Sequence, residues 1–169
     1  MSEETPIHIS FICTGNICRS PYAEAFLRRV AEREGWKDKI RVSSRGTLPL
    51  QGIPAHDYAL QIGTRNKMNL LSHRSAPLDE EHLATCHLVL CMARDHALHI
   101  QRAYPEHQEK VYLLTAYPEH DGEAEAIPDP IGLDKETFLE VFDMIEVSLE
   151  PLLNDLRERL DVPRTPPQE

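Results

Sequence analysis

Two side chains suited to phosphoryl chemistry stand near the start of the chain. Cys13 and Arg19 lie at the two ends of the stretch CTGNICR. A cysteine thiolate is a strong nucleophile, and a guanidinium presents a planar fork of N–H donors that matches phosphate oxygens. Gly15, between them, permits positive φ and close approach of the backbone. The pair therefore indicates nucleophilic attack by sulfur on a phosphoryl group held in a loop.

The same stretch joins a predicted strand to a predicted helix. The apolar run 7–13 predicts a buried strand, and Ser20-Pro21 begins a helix because proline suits the first helical position. Backbone N–H groups at a helix N-terminus lack intrahelical partners and can bind an anion. We therefore predict a phosphate-binding loop made of Thr14, Gly15, Asn16, Ile17 and Cys18.

Cys13 is predicted to lie at the floor of this loop, with Arg19 closing over it. A buried strand-end thiol with no chemical role is the alternative interpretation. The glycine, the asparagine and the Arg-Ser-Pro that follows favour the phosphate site. The loop is not of the Walker A type, since no Gly-Lys-Ser/Thr follows.

The elements that must position this loop alternate along the chain. Further apolar runs predict strands at 40–44, 87–92 and 110–114. Helical periodicity begins at Tyr22 and recurs at 55–68, at 94–103 and over 138–160, where Pro151 should kink the helix. This alternation predicts an α/β fold with a parallel sheet, in which ligands bind beyond the carboxyl ends of the strands.

Two long connections are predicted to be functional loops. Segment 44–54 follows the second strand, and segment 116–132 is rich in proline, glycine and acidic residues, as expected of a lid. We predict one domain over 1–161 and a disordered tail over 162–169.

Composition excludes several classes of function. The net charge of -10 argues against binding to nucleic acid or to an anionic membrane. No run is long enough for a membrane span, and 1–6 is too short for a signal peptide, so we expect a cytoplasmic protein with free thiols. The 4 cysteines and 9 histidines show no regular metal-ligand spacing, so we expect no metal and no cofactor.

Five blocks identify a known family. Over about residues 6–160 the chain resembles the low-molecular-weight protein tyrosine phosphatases in five blocks, which are, in order, CTGNICRSP, SSRGT, LLSHRS, LVLCM and IPDPIG. The resemblance implies a three-layer sandwich with a four-stranded parallel, flavodoxin-like sheet. It also implies metal-free hydrolysis of phosphomonoesters on a phosphorylated protein or peptide, and we expect a monomer or weak dimer.

Hydrolysis also requires a proton for the leaving oxygen. Asp129 in IPDPIG is the best candidate, because prolines stiffen its backbone on both sides and the family's general acid matches it. By resemblance, Asn16, Ser44 and His73 form a hydrogen-bond network beneath the loop, and Ser20 donates to the sulfur of Cys13. Without the matching block, His73 would be read as a capping or surface histidine.

Cys18 has two open interpretations. It can trap oxidised Cys13 as a reversible disulfide, or it is a loop residue tolerated for its size. Cys86 and Cys91 are interpreted as strand packing.

The substrate slot departs from the family pattern. Leu50 and Ile131 stand where aromatic walls are usual, and Arg45 stands where a small residue is usual, adding positive charge near the rim. A family branch that acts on phosphoarginine carries threonine at the position of Ile17. A bulky aliphatic residue there resembles the tyrosine-specific members, so phosphotyrosine is the favoured substrate and phosphoarginine the alternative.

Two other classes of function fit parts of the sequence. A thiol-linked arsenate reductase needs three cysteines, and Cys91 can serve as the second, but MARDHALHI after it supplies no third. A non-catalytic phosphate-binding module would keep the loop without turnover. The presence of Cys13, Arg19 and Asp129 together argues against that module.

Overall fold

The computed structural model describes residues 4–161. Over these residues the chain forms four strands and six α-helices: β1 Ile7–Cys13, α1 Arg19–Glu34, β2 Ile40–Gly46, α2 Asp57–Arg65, α3 Glu80–Thr85, β3 Leu88–Cys91, α4 Arg94–Ala103, β4 Val111–Leu113, α5 Lys135–Ser148 and α6 Glu150–Leu160. A 3-10 turn, Pro105–Lys110, precedes β4. The predicted tail at 162–169 lies outside the described residues, and the domain limits stay a prediction. No helix within 4–161 is both long and apolar enough to cross a membrane.

The strands form one parallel sheet in the order β2-β1-β3-β4. The predicted four-stranded parallel α/β architecture is therefore confirmed. Strand β1 pairs with β2 up to Cys13 and Gly46, and with β3 up to Ile12 and Cys91. The strand order changes direction at β1, so the carboxyl end of β1 is a topological switch point, where ligands bind in open α/β sheets. Cys13 occupies that end.

Alternation along the strands divides the core into two layers. Ile9, Phe11 and Cys13 of β1 belong to the cluster that includes α1, α2, α5 and α6, whereas Ile12 packs with residues of α3 and α4. Successive side chains of a strand point to opposite faces, so helices cover the sheet on both sides. This arrangement is the three-layer sandwich that the resemblance implied.

Several details differ from the sequence-based expectations; for example, β2 runs to Gly46 and α2 covers only Asp57–Arg65. Helix α3 was not predicted, because six residues are too short to show a helical period; Asp79 Oδ1 caps it by accepting the His82 N–H at 2.7 Å. The 138–160 pattern begins earlier and divides into α5 and α6 at Leu149. Pro151 falls in the first turn of α6, where its missing N–H costs no helical hydrogen bond. The third and fourth strands are shorter than predicted.

Candidate active site

The segment between β1 and α1 wraps a cavity of about 170 Å³ at the switch point. The residues that line this cavity are Cys13, Thr14, Gly15, Ile17, Cys18, Arg19, Leu48, Leu50, Asp129 and Ile131. Nine of them were predicted site residues, and Leu48 was not. The structure thus brings together the candidate nucleophile, guanidinium and acid from segments that are far apart in the chain.

Cys13 is buried at the cavity floor, with 2% of its surface exposed. Its sulfur receives the backbone N–H of Asn16 at 3.3 Å and lies 2.8 Å from the hydroxyl oxygen of Ser20. Since Ser20 Oγ already accepts a hydrogen bond from Asn16 Nδ2 at 2.9 Å, its own proton is available to the sulfur. Two hydrogen-bond donors therefore point at the sulfur of Cys13.

Asn16 holds the loop from beneath. Its backbone has φ 58, in the left-handed region, and its side chain is fully buried. Nδ2 donates to Ser20 Oγ and Ser44 Oγ, each at 2.9 Å, while Oδ1 accepts the Ala76 N–H at 3.0 Å. His73 Nε2 donates to the Asn16 carbonyl at 2.6 Å. The structure thus brings Asn16, Ser20, Ser44 and His73 into one network.

The N-terminus of α1 faces the cavity without a protein cap. Its N-cap residue, Cys18, makes no side-chain hydrogen bond to the helix, and no acidic residue stands in the first turn. The first N–H groups of the helix are therefore left to bind an anion. Burial, aided by the charge on Cys13, raises the pKa of Cys18 to about 12, so this second thiol stays protonated at neutral pH.

Arg19 is anchored at both ends of its guanidinium fork. Nη1 donates to the Ile127 carbonyl at 2.9 Å, and Nη2 donates to Thr14 Oγ1 at 3.3 Å. Nη2 also lies 3.5 Å from Oδ2 of Asp129 in an ion pair. A guanidinium carries five N–H donors, and these two hydrogen bonds use only two of them.

Asp129 lies at the mouth of the cavity, with 40% of its side chain exposed. Its Oδ1 accepts the Ile131 N–H at 3.1 Å, which turns Oδ2 toward Arg19. The acidic loop is tethered just before this point, since the Ile127 N–H donates to the Met92 carbonyl at 2.8 Å. One carboxylate oxygen is thus fixed by the loop and the other faces the cavity.

The rim of the cavity is aliphatic. Leu48, Leu50 and Ile131 are 45%, 38% and 51% exposed. The first loop is tied to the phosphate-binding loop, because the N–H groups of Thr47 and Leu48 donate to the carbonyls of Cys13 and Thr14, each at 3.0 Å. The predicted slot residues therefore flank the cavity.

Arg45 does not add charge to this rim, contrary to expectation. It does not line the cavity; its guanidinium donates to the Ser44 carbonyl at 2.8 Å, and it lines a separate groove with Arg28 and Arg41. Alternation along β2 explains the error, because Arg45 shares a face with Arg41 while Ser44 takes the opposite one.

Two functional candidates escaped prediction. A Cβ at Gly46 would lie 2.8 Å from the Thr14 carbonyl oxygen, so this position must lack a side chain to leave room for the loop. His96, buried in the first turn of α4, places Nε2 2.8 Å from Thr14 Oγ1. Gly46 stands in the SSRGT block, which marks its position without giving its reason. No local pattern distinguishes His96 from the other histidines.

Two side-chain groups within the described residues have metal-compatible geometry. His8, His82 and Cys86 are buried and place ligand atoms within 4.8 Å of one another, as do the mainly exposed Glu80, Glu106 and His107. The buried imidazoles are already hydrogen bonded, His8 Nε2 to Ser43 Oγ at 2.7 Å and His82 Nε2 to Ser10 Oγ at 2.8 Å. Neither group contributes to the candidate active site.

Comparison with known proteins identifies the family of this chain. Residues 8–162 match the family described as low molecular weight phosphotyrosine protein phosphatase. Low molecular weight protein-tyrosine phosphatase A of Mycobacterium tuberculosis is 35% identical over 157 residues, covering 92% of this chain and 94% of that protein. A protein-arginine-phosphatase of Bacillus subtilis is 33% identical over 150 residues, covering 89% and 97%.

A solved structure shows the same fold. A mutant of the YwlE arginine phosphatase with a phosphorylated active-site serine superposes with a TM-score of 0.83 at 31% identity, covering 92% of this chain and 99% of that one. The fold and the cavity define an α/β protein in which a cysteine, an arginine and an aspartate line one cavity at the end of the first strand. The chain belongs to the low molecular weight phosphotyrosine protein phosphatase family.

Proposed function

We propose that this protein is a phosphatase that hydrolyses tyrosine phosphate on proteins through a phosphocysteine intermediate. The observation that carries the proposal is the convergence of Cys13, Arg19 and Asp129 on one cavity beside the uncapped N-terminus of α1. A nucleophile, an oxyanion clamp and an acid are the three groups that phosphomonoester hydrolysis without a metal requires.

In the first step, the sulfur of Cys13 attacks phosphorus in line. The S–P bond forms as the bond between phosphorus and the tyrosine oxygen breaks, and protonated Asp129 gives its proton to that oxygen. The free N–H groups of Arg19 and the loop amides hold the equatorial oxygens, whose charge is spread in the transition state. The buried, anchored fork of Arg19 makes this clamp preorganised.

In the second step, the Asp129 carboxylate accepts a proton from water as that water attacks phosphorus. The S–P bond breaks, and inorganic phosphate and the Cys13 thiolate are released. A phosphate dianion bound beside Asp129 competes with the Asp129 carboxylate for the guanidinium of Arg19, which the hydrogen bonds to Thr14 and Ile127 hold in place.

The aliphatic rim supports a phosphotyrosine substrate. Leu48, Leu50 and Ile131 can bury a phenyl ring above the sulfur, and half-buried Ile17 offers no polar atom to a guanidinium leaving group. Relatives named arginine phosphatases nevertheless make phosphoarginine a second candidate. The two substrates call for the same thiol chemistry but for different slot walls.

The test compares phosphotyrosyl and phosphoarginyl versions of one peptide. We expect kcat/KM at least tenfold higher for the tyrosyl peptide, no turnover by Cys13→Ser, and a shift toward the arginyl peptide in Ile17→Thr. A clear preference of the parent protein for the arginyl peptide would assign it to the second candidate. Turnover by Cys13→Ser at the parent's rate would reject the phosphocysteine mechanism.

The arsenate reductase alternative is weakened by the position of its second thiol. Cys91 is fully buried in β3, and burial raises the pKa of its thiol well above the usual range. A buried, protonated thiol is a poor relay for electrons. Arsenate reduction with a thiol donor, measured beside phosphatase activity, separates the two enzymes, and a non-catalytic module would show neither activity.

We also propose a cytoplasmic location and a monomeric or weakly dimeric state. All four cysteines are free and buried in the described chain, as suits a reducing compartment. Cell fractionation and sedimentation analysis test these two points.

A further inference from the structure

We infer that His96 is a positioning residue, which acts through Thr14 to orient the guanidinium of Arg19 for phosphoryl transfer. This inference rests on the proposed function. It assigns a role to a histidine on α4, an element that contributes no residue to the lining of the cavity.

The tautomer of His96 follows from its partners. Nδ1 lies 3.1 Å from the backbone nitrogen of Ala93, which can only donate, so Nδ1 is the acceptor. Nε2 therefore carries the proton of the neutral ring and donates to Thr14 Oγ1 at 2.8 Å. Burial, opposed by the nearby Asp95 carboxylate, lowers the pKa of His96 to about 4, which keeps the ring neutral at the pH of an assay.

Thr14 Oγ1 then has two donors. His96 Nε2 occupies one lone pair, and Arg19 Nη2, at 3.3 Å, occupies the other. With both lone pairs filled, the hydroxyl proton of Thr14 can only donate, and Thr14 lines the cavity in which a phosphoryl group would lie. The same contact fixes Nη2 of Arg19, while the Ile127 carbonyl fixes Nη1 at 2.9 Å.

The imidazole itself is held rigidly. His96 is 1% exposed, and its ring is tied at Nδ1 to the start of its own helix, α4. Helix α4 packs against β3 and β4, so the position of the ring is set by the sheet and not by a loop. The carboxylate of Asp95 lies 3.8 Å from Nε2, beyond hydrogen-bond distance, and its side chain is 75% exposed. Thr14 is therefore the one hydrogen-bond partner of Nε2 among residues 4–161.

A double-mutant cycle tests whether His96 acts through Thr14. In the parent protein, His96→Met should lower the rate of phosphocysteine formation about tenfold, measured as the p-nitrophenol burst, while KM changes less than about threefold. In the Thr14→Val background the same His96→Met change should cost less than about twofold, because its partner is already gone. Equal losses in both backgrounds would overturn the inference.

Conservative variants separate positioning from packing. His96→Gln can accept from Ala93 N–H and donate to Thr14 through one carboxamide, so its burst rate should return to within about threefold of the parent. His99→Met, at an exposed histidine on the same helix, is the matched control and should leave the rate unchanged. A His96→Gln variant as slow as His96→Met would overturn the inference.

If His96→Met does not fold, the Thr14 variants and His96→Gln provide the test instead of the cycle. In that case Thr14→Val and Thr14→Ser are compared, and only the variant that lacks a hydroxyl should lose the burst rate. An unimpaired Thr14→Val overturns the inference. If Cys13→Ser has no phosphatase activity but the His96 and Thr14 substitutions show no coupling, only the role of His96 is rejected. If Cys13→Ser retains phosphatase activity, the proposed function is rejected and this inference with it.

Discussion

Asp129 reaches Arg19 across the cavity, with Oδ2 3.5 Å from Nη2. The ion pair joins the loop that carries the candidate acid to the first residue of α1. It places the candidate proton donor beside the guanidinium that would hold the equatorial oxygens. If Asp129 donates the proton, substrates whose leaving group needs protonation should depend on Asp129 most.

Asp129→Asn should therefore act selectively on poor leaving groups. We expect kcat for a phosphotyrosyl peptide to fall about a hundredfold or more, because the amide cannot supply a proton, while p-nitrophenyl phosphate is affected less. Steady-state kinetics on the two substrates measures these effects.

Asp121→Asn provides the matched control for that substitution. Asp121 stands in the same loop and also accepts a nearby backbone N–H, that of Glu123 at 2.9 Å, but it does not line the cavity. Asp121→Asn should leave kcat unchanged for both substrates. Equal kcat on the phosphotyrosyl peptide in the parent and in Asp129→Asn would remove Asp129 from the mechanism.

Asn16 should stabilise the fold in two separable ways. Asn16→Gly keeps the left-handed backbone but removes three side-chain hydrogen bonds, at a cost of about 2–4 kcal/mol in the free energy of unfolding. Asn16→Ala adds about 1–2 kcal/mol for a Cβ in the left-handed region. Urea unfolding of the two variants measures both effects.

Lys67 is the control for the part of this free-energy cost that comes from the backbone conformation alone. It also has positive φ, 59, but its side chain is exposed. The difference in unfolding free energy between Lys67→Ala and Lys67→Gly should equal that between Asn16→Ala and Asn16→Gly. Lys67→Gly itself should not lower stability. A stable, fully active Asn16→Gly would contradict the role of the network.

Gly46→Ala should disturb the phosphate-binding loop. The new Cβ would lie 2.8 Å from the Thr14 carbonyl oxygen and 3.1 Å from the Asn16 Cβ, so backbone must move. We expect a loss of about 1–3 kcal/mol in stability, as for other overpacked sites, and a fall of about tenfold in kcat/KM. Thermal unfolding and p-nitrophenyl phosphate kinetics measure the two effects.

Gly122→Ala is the control for added volume, since a Cβ at this position would have no atom within 4 Å and the backbone φ is not positive. It should change neither stability nor rate. If Gly46→Ala also left stability and kcat/KM unchanged, the close approach of β2 to the loop would have no functional consequence.

His82 should make stability depend on pH. Burial, and after it the charge of Arg45, lowers the pKa of His82 to about 4, while His8 and Arg41 act in the same direction and Asp79 opposes them. Between pH 6.5 and 4 the unfolded chain binds a proton at this position that the folded protein does not. Stability is therefore fully present above pH 6.5 and declines as the pH falls toward 4.

The variant His82→Gln should reduce this decline, because glutamine does not titrate and can still donate to Ser10. Tm measured from about pH 7 to about pH 4 gives the slope, and the exposed His99→Gln is the control that should keep the parent's slope. An unchanged slope in His82→Gln would show that other groups govern the acid sensitivity.

Local chemistry made much of the site predictable from the sequence. Cys13, Arg19 and the loop between them are contiguous, and strand, glycine and proline signals place that loop at a helix N-terminus. Asp129 is distant in the chain, and its flanking prolines and the matching block pointed to it. The lining of the cavity includes all three residues.

Other residues could not be predicted because their roles come from contacts across the fold. His96 reaches Thr14 only because β3 pairs beside β1 and directs α4 toward the loop. Arg45 was misplaced because the face that a strand residue takes depends on which helices cover the sheet. Helix α3, six residues long, depends on its Asp79 cap and its packing and shows no periodicity of its own.

The sequence by itself determined the α/β alternation, the thiol and guanidinium of the phosphate-binding loop, and the family, because these features are local and their residue types constrain the chemistry. Only the tertiary structure decided which donors face the sulfur of Cys13, how Arg19 is anchored, and which glycine must lack a side chain. Those relationships depend on distances between segments far apart in the chain, and such distances exist only once the sheet has paired and the helices have packed against it.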